Sequence, residues 1–510
     1  RDVERSRGLG DVYKRQVSLL FTKKHYLCIM LILITVLIYF AVLFGISRLT
    51  SRKADNETFY RANRKSPWYM VAFGMIGASV SGASFVSVPG MAMHMDMTYM
   101  QTCIGFILGY FAIAFILLPV YYRLNLTTIY SYLRERLGTR SYKTGAAFFI
   151  LSDLTAVAVK FYVVCIILQR FVLDAYNVPF AVTVPVLMFL IWLYTHKGGI
   201  KTLVWTDTVQ TACMLGALVL IIIKVAGELD MNLSEAAKAV VADSHSRMFV
   251  FDDWMSTQNF WKQLVSGAFI VIVMTGLNQN MMQKNLTCKT LAEARKDMCT
   301  YGFAFVPVNL LFLSLGILLM MLAGRKGMAL PDSPDELLPM FAATGELGSA
   351  VVVLFIIGIV AASASTVDSS LTALTTSYCV DIKERPADVG LRRRVHVAIA
   401  VIFAVFILLF RMINSTSVID AIFILCSYTY GPLLGLFAFG LLTKRKASDT
   451  AAPYIAVASP LICLAANYIV PAATGYKFGY ELLLLNGLIT FCGLWISGIG
   501  KNQDAGKNIR

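Results

Sequence analysis

The chain has 510 residues, 57% of them hydrophobic and 15% charged, with a mean hydropathy of +0.68; soluble domains carry about 25% charge. That composition excludes a soluble globular protein and describes a polytopic membrane protein. The formal charge of +15 is the kind that cytoplasmic loops of membrane proteins carry, and nucleic acid is not an expected partner.

In chain order, the first residues, RDVERSRGLGDVYKRQ, lack a starting Met and the charged-then-apolar order of a signal peptide. Residues 1–16 read as a cloning or assembly remnant, and the true start of the chain is left open. About thirteen apolar spans follow. They lie near Tyr26–Ile46, Trp68–Pro89, Thr98–Tyr121, Thr144–Val172, Val182–Tyr194, Leu203–Val225 and Phe260–Asn280. The others lie near Thr300–Leu322, Gly348–Val380, Val395–Phe410, Val418–Leu442, Ala451–Val470 and Tyr480–Ile499. With the amino end of the first span placed outside, and leaving out the suspect amino end, the inner loops hold about 28 Lys and Arg and the outer loops about 8. The basic cluster Arg1–Lys24 of that amino end would lie outside, against the rule. The inner set includes Arg48–Lys65, Arg123–Lys143, Lys284–Lys296, Lys383–Arg394 and the carboxyl tail.

Two spans read as broken. In the second, Gly74, Gly77, Ser79, Ser81, Gly82, Ala83, Ser84 and Ser87 interrupt an apolar helix; in the seventh, Gly276, Asn278, Gln279 and Asn280 enter the membrane. Such residues let a helix unwind and expose carbonyls that bind an ion or substrate at mid-membrane. A small-residue packing face is the alternative for the second span. The two interruptions lie five helices apart, which suggests two inverted five-helix halves, residues 68–225 and 260–443. An extra helix and loop would occupy 17–67, an extracellular loop 226–259, and two further helices with a tail 444–510.

The ninth span carries the densest polar signal. Within Ala361–Asp381, Ser365, Asp368, Ser369, Thr372 and Thr376 share one helical face in an apolar setting. Lipid offers such a stripe no hydrogen bonds, so protein, water or a cation must meet it. Bonding back to the i−4 carbonyls is the alternative. Asp153 and Lys160 lie seven residues apart in one span, about 10 Å along the axis. Lys160 either neutralises Asp153 or Asp368, the preferred reading, or meets an anionic substrate. The ten cysteines are scattered without a CxxC pair, and the five histidines form no metal motif.

Several stretches resemble the sodium:solute symporter family: GASVSGASFVSVPG (77–90), GGIKTLVWTDTVQ (198–210), NQNMMQKNLTCKTLAEARKD (278–297), AASASTVDSSLTALTTSYCVDI (361–382) and YTYGPLLGLFAFGLLTKR (428–445). The resemblance implies an all-α integral membrane protein with the leucine-transporter-type 5+5 inverted repeat and two broken helices. It implies sodium-coupled symport of a small polar solute by alternating access, with sodium as the coupling ion and no enzymatic activity. It places sodium ligands at the carbonyls of Gly77, Val80 and Ala362 and the hydroxyls of Ser365 and Thr366. A second cation site would involve Asp207, Asp368 and Ser369, with Asp368 standing where a serine is usual; a structural ion pair is the alternative. Substrate-pocket candidates are Ser81, Ser84, Phe85, Gln101, Lys160, Asn278, Gln279 and Tyr428, with Tyr430 beside the last. Sugar, sialic acid or another organic acid leads as substrate, ahead of amino acids and monocarboxylates. A bacterial inner-membrane location with a cytoplasmic carboxyl terminus, the lipid bilayer as surroundings and no obligatory protein partner complete the expectation. A symporter-like sensor fused to a kinase is disfavoured because the sequence runs only about ten residues past the last span.

Overall fold

The computed structural model describes residues 30–498, apart from 53, 170–172, 255, 344–346, 414–425, 475, 477 and 480. The amino-terminal remnant, the tail and the first residues of the Val418–Leu442 span lie outside the described residues. Among the described residues the protein is helical, with one isolated bridge between Ser66 and Cys288.

The principal helices are α1 (Met30–Thr50), α2 (Trp68–Ser79), α3 (Gly82–Met95), α4 (Tyr99–Arg123), α5 (Thr139–Leu168) and α6 (Phe180–Thr195). They continue with α7 (Ile200–Glu228), α8 (Phe260–Gly276), α9 (Gln279–Asn285), α10 (Leu291–Lys326) and α11 (Ser349–Ile382). The last four are α12 (Val389–Met412), α13 (Cys426–Leu442), α14 (Ala452–Thr474) and α15 (Leu482–Ser497). Every expected apolar span overlaps one of these helices. Eight are long and apolar enough to cross a bilayer unaided; α2 with α3 and α8 with α9 qualify as bent pairs, at 64° and 71°; α6, α13 and α15 are shorter. The protein is therefore a multi-pass membrane protein.

Both breaks follow from local chemistry. At the first, Val80 leaves helical geometry (φ −77°, ψ 85°), and the Ser81 amide donates to Ser79 O instead of Gly77 O. That frees the Gly77 carbonyl from its helical partner. Close packing explains the glycine itself: a Cβ on Gly77 would stand 2.1 Å from Thr211 Oγ1 on α7. At the second, α8 ends in a π-turn over Ile272–Gly276, and Asn278 starts α9 by accepting the Asn280 amide at 2.8 Å. Single π-turns concentrate at functional sites, and another closes α11 at Tyr378–Ile382.

Helix α11 is the hub. In its most apolar window 78% of residues are buried, against 17% in α14, which leaves α14 a peripheral helix facing lipid. It packs on α3, α5, α7, α9 and α12, so its hydroxyl stripe faces protein on several sides.

Candidate functional site

The hydroxyls of α11 divide by residue type. Among its threonines, Thr372 Oγ1 is buried without a hydrogen-bond partner, while three bond back to their own helix: Thr366 to Ala362 O (3.0 Å), Thr375 to Leu371 O (2.7 Å) and Thr376 to Thr372 O (2.8 Å). This is the return bonding available to the β-branched side chain. Four of its serines instead donate to carboxylates, while Ser363 Oγ is buried without a hydrogen-bond partner. Ser365 reaches Asp207 (2.6 Å), Ser369 reaches Asp368 (3.2 Å), Ser370 reaches Asp153, and Ser377 reaches Asp381 (2.6 Å). All four carboxylates are buried. The polar face is thus a set of serine donors that holds buried negative charge, supplied in two cases by other helices.

Around the breaks lies a cavity of about 140 Å³, bordered by α3, α5, α8 and α10, with Thr366 of α11 and Tyr430 of α13 in its lining. Ser81, Ser84, Lys160 and Asn278 line it, as expected for pocket residues, and Asp153 and Tyr430 join them. Asn278 donates to Asp153 Oδ1 (3.2 Å) and to the Tyr430 hydroxyl (2.7 Å). Lys160 is the one basic residue among the described lining residues. No carboxylate stands within ion-pair distance of it there, so the internal pair preferred from sequence, with Asp153 or Asp368, is not formed. The seven-residue separation keeps Lys160 two helical turns from Asp153.

Four pocket candidates lie elsewhere. Phe85 is packed against Phe312 and Phe355 in the core (centroids 5.2 and 6.3 Å). Gln101 binds an extramembrane segment, donating to Gln258 O (2.8 Å) and accepting from Val250 N (3.0 Å). Gln279 turns away from Asn278 and clamps the loop before α5, accepting from Ile129 N (2.9 Å) and donating to Thr127 O (3.2 Å). Tyr428 is outside the lining, its carbonyl accepting from Asn486 of α15 (3.0 Å).

Of the expected sodium-site groups, the Thr366 hydroxyl stands against the first break. Thr366 Oγ1 lies 3.0 Å from Ala362 O and 3.3 Å from Ala78 O, bridging α11 to the carboxyl end of α2. Gly77, Val80, Ala362, Ser365 and Thr366 are all buried.

One turn farther along α11, Asp207 and Asp368 flank a second cluster. Asp368 Oδ2 accepts from the Tyr194 hydroxyl of α6 (2.7 Å). Gln210 can donate to Asp368 Oδ2 at 3.5 Å; turned over, its nitrogen donates to Asp207 Oδ1 at 3.2 Å while its oxygen accepts from Tyr39 of α1 at 3.1 Å. The turned orientation satisfies both ends of the amide, and either one ties Gln210 to a carboxylate of the cluster. Sequence reading missed the fourth member. Lys284 Nζ lies 2.7 Å from Asp207 Oδ2, and both side chains are at most 2% exposed. Lys284 was assigned to an inner loop, which lowers the inner count of basic residues to about 27. The available signal was its position directly after the interrupted stretch NQNMMQ. Nine cysteines are free, and no cluster of metal-ligating residues occurs among the described residues.

Comparison with known proteins agrees with this architecture. The sequence profile of the sodium:solute symporter family matches residues 59–452. The sodium/sialic acid symporter SiaT of Proteus mirabilis is 25% identical over 457 residues, covering 84% of this chain and 90% of that protein. The sodium/sialic acid symporter NanT of Aliivibrio fischeri is 24% identical, covering 78% and 80%. The human sodium/iodide cotransporter is 24% identical over 78% of this chain and 62% of its own length. Among solved structures, a substrate-bound, outward-open sodium-coupled sialic acid symporter superposes with a TM-score of 0.78 at 20% identity, covering 92% of this chain and 97% of its own. A nucleobase-cation-symport-1 family transporter gives 0.55 at 15% identity, over 86% and 93%. With its family profile matched across most of its length, the chain belongs to the sodium:solute symporter family.

Proposed function

We propose that the protein couples inward sodium movement to uptake of a small polar organic solute bearing a carboxylate, by alternating access. The observation that carries the reading is Lys160, which lines a cavity between two broken helices and has no carboxylate within ion-pair distance among the described residues. A charge at membrane depth is costly unless something meets it, and a substrate carboxylate supplies the missing partner. Asp153 is already held by Asn278 and Ser370, so it does not meet that need. Sialic acid, an acidic sugar named for two relatives, leads the substrate list.

The sodium ion would sit at the first break, on the carbonyls of Gly77, Val80 and Ala362 and the hydroxyls of Ser365 and Thr366. Five neutral oxygens suit a hard cation stripped of water, as carbonyls do in channel filters. The Thr366 hydroxyl between α2 and α11 supports this placement. Sodium bound there would hold the two helices together and favour one state of the cycle, which is the differential binding that coupling requires. We assign thirteen spans: one extra helix, an inverted five-plus-five repeat running α2–α7 and α8–α13, and two carboxyl-terminal helices. The two bent pairs, each opening its half, support the repeat. The inner-loop Lys and Arg support a cytoplasmic carboxyl terminus, and the short loops support a bacterial inner membrane.

A second reading, uptake of a zwitterionic amino acid, draws on Asp153 in the same cavity wall as Lys160. Proteoliposome uptake under an inward sodium gradient separates the two. N-acetylneuraminate, a neutral hexose, a monocarboxylate and an amino-acid mixture are the test solutes. Sodium-dependent, saturable uptake of the acidic solutes alone is expected; uptake of none, or of all at sodium-independent rates, refutes the proposal.

A further inference from the structure

The second cluster has an unusual charge count. Asp207 and Asp368 bring two carboxylates to one buried spot, and Lys284 brings one ammonium. The donors that reach Asp368, Tyr194, Ser369 and, in one orientation, Gln210, are neutral. Resting on the symport reading above, we infer that the Lys284 ammonium is the resident cation of this second site, so that the chain binds a single sodium ion, at the first break.

Three observations carry the inference. First, Lys284 Nζ lies on Asp207 Oδ2 at 2.7 Å, where a second sodium would find its only charged ligand from α7. Two positive charges on one carboxylate repel, and a tethered ammonium does not leave by diffusion. Second, Lys284 is delivered by α9, the half-helix created by the second break. Its position is therefore built by the same interruption that borders the cavity, and it is fixed at neighbouring Gln283 by donation to Tyr60 O (2.8 Å) and Thr376 Oγ1 (3.0 Å). Third, the charges close. Ser365 donates to Asp207 (2.6 Å) one residue before Thr366, so the first site and the cluster share a wall. Lys284 plus one sodium ion balances Asp207 plus Asp368, whereas two sodium ions would leave a buried excess of one positive charge, which the bilayer interior penalises.

Equilibrium binding of radiolabelled sodium to the purified full chain in detergent tests this without knowledge of the solute. One sodium ion per chain is expected for the wild type and for Lys284→Arg, and two for Lys284→Met. Adding Asp368→Asn to Lys284→Met is expected to return the count to one. Two ions in the wild type overturn the inference while leaving symport intact, and this count needs no variant to fold. One ion or none in Lys284→Met also overturns it. No sodium binding in the wild type removes the symport reading itself, and the inference with it.

Discussion

Thr366→Val is the sharpest probe of the proposed sodium site. Valine keeps the branched shape of threonine and replaces the hydroxyl with a methyl, so packing between α11 and α2 is largely retained. The lost oxygen is the one lying 3.0 Å from Ala362 O and 3.3 Å from Ala78 O. In the absence of sodium its removal deletes one return bond to α11, a modest effect because the Ala362 carbonyl still accepts from its own helix. With sodium bound, a charged group loses one of five ligands. Hydrogen bonds to charged groups contribute about 1.5–3 kcal/mol, and ion–dipole contacts of a desolvated sodium are taken to be comparable. At 1.4 kcal/mol per tenfold, half-saturation should rise about 10- to 150-fold. The assay is a sodium titration of the thermal midpoint of purified protein, repeated as a sodium titration of uptake. Thr375→Val is the control, since that hydroxyl also bonds back along α11, at 2.7 Å to Leu371 O, and its other neighbour is His396, away from the break. A Thr366→Val half-saturation within twofold of wild type, or an equal shift in Thr375→Val, would refute the assignment.

Lys160→Met should abolish uptake of carboxylate solutes and spare any neutral solute the protein accepts; equal loss of both in a competition assay sinks the anion role. Gly316→Ala on α10 should lower the thermal midpoint, because its Cβ would stand 1.9 Å from Pro89 O of α3 and overpacking costs about 1–3 kcal/mol. Gly324→Ala on the same helix meets nothing within 4 Å, so helix propensity alone should leave it neutral or slightly stabilising; equal destabilisation of both would contradict the packing argument. Asp55, ahead of the helix Asn56–Arg61, accepts the Thr58 amide at 2.8 Å, and that hydrogen bond holds its carboxyl below the ordinary aspartate value. Its capping contribution is therefore complete above about pH 4 and fades as pH falls through the lowered value. Asp55→Ala should lower the thermal midpoint at pH 7, by a cap typically worth about 1 kcal/mol, and the gap from wild type should narrow in acid.

How much of this could be read from the residues depends on which physical signal each feature leaves. Apolar spans are long-range composition, and each expected one overlaps a helix. The breaks at Val80 and Asn278 were legible because glycine and amides are costly inside an apolar helix. Pocket membership was not, because it turns on helical phase where phase is interrupted. Asn278 and Gln279 are neighbours, yet one faces the cavity and the other the loop before α5. Gln101 sits at an apolar helix start, where a polar side chain can serve an extramembrane loop as readily as a ligand. Lys284 failed for the opposite reason. Counting charges to find where a span ends treats every lysine as solvated, and this one is buried on Asp207.

The same consideration explains why α11 carries serines in particular. A carboxylate at membrane depth needs donors in place before any ion arrives, or the empty transporter would not fold. Serine supplies a hydroxyl without the second branch that directs threonine back to its own helix, and Ser365 and Ser370 use it to reach Asp207 of α7 and Asp153 of α5. Neutral donors stabilise a buried charge without cancelling it. Asp207 has the further help of Lys284, while Asp368 keeps only neutral donors and with them an appetite for one more cation nearby. On the proposed reading, the hydroxyl face would let the protein exist without its ion and still be stabilised by it, the condition for an ion gradient to drive the cycle.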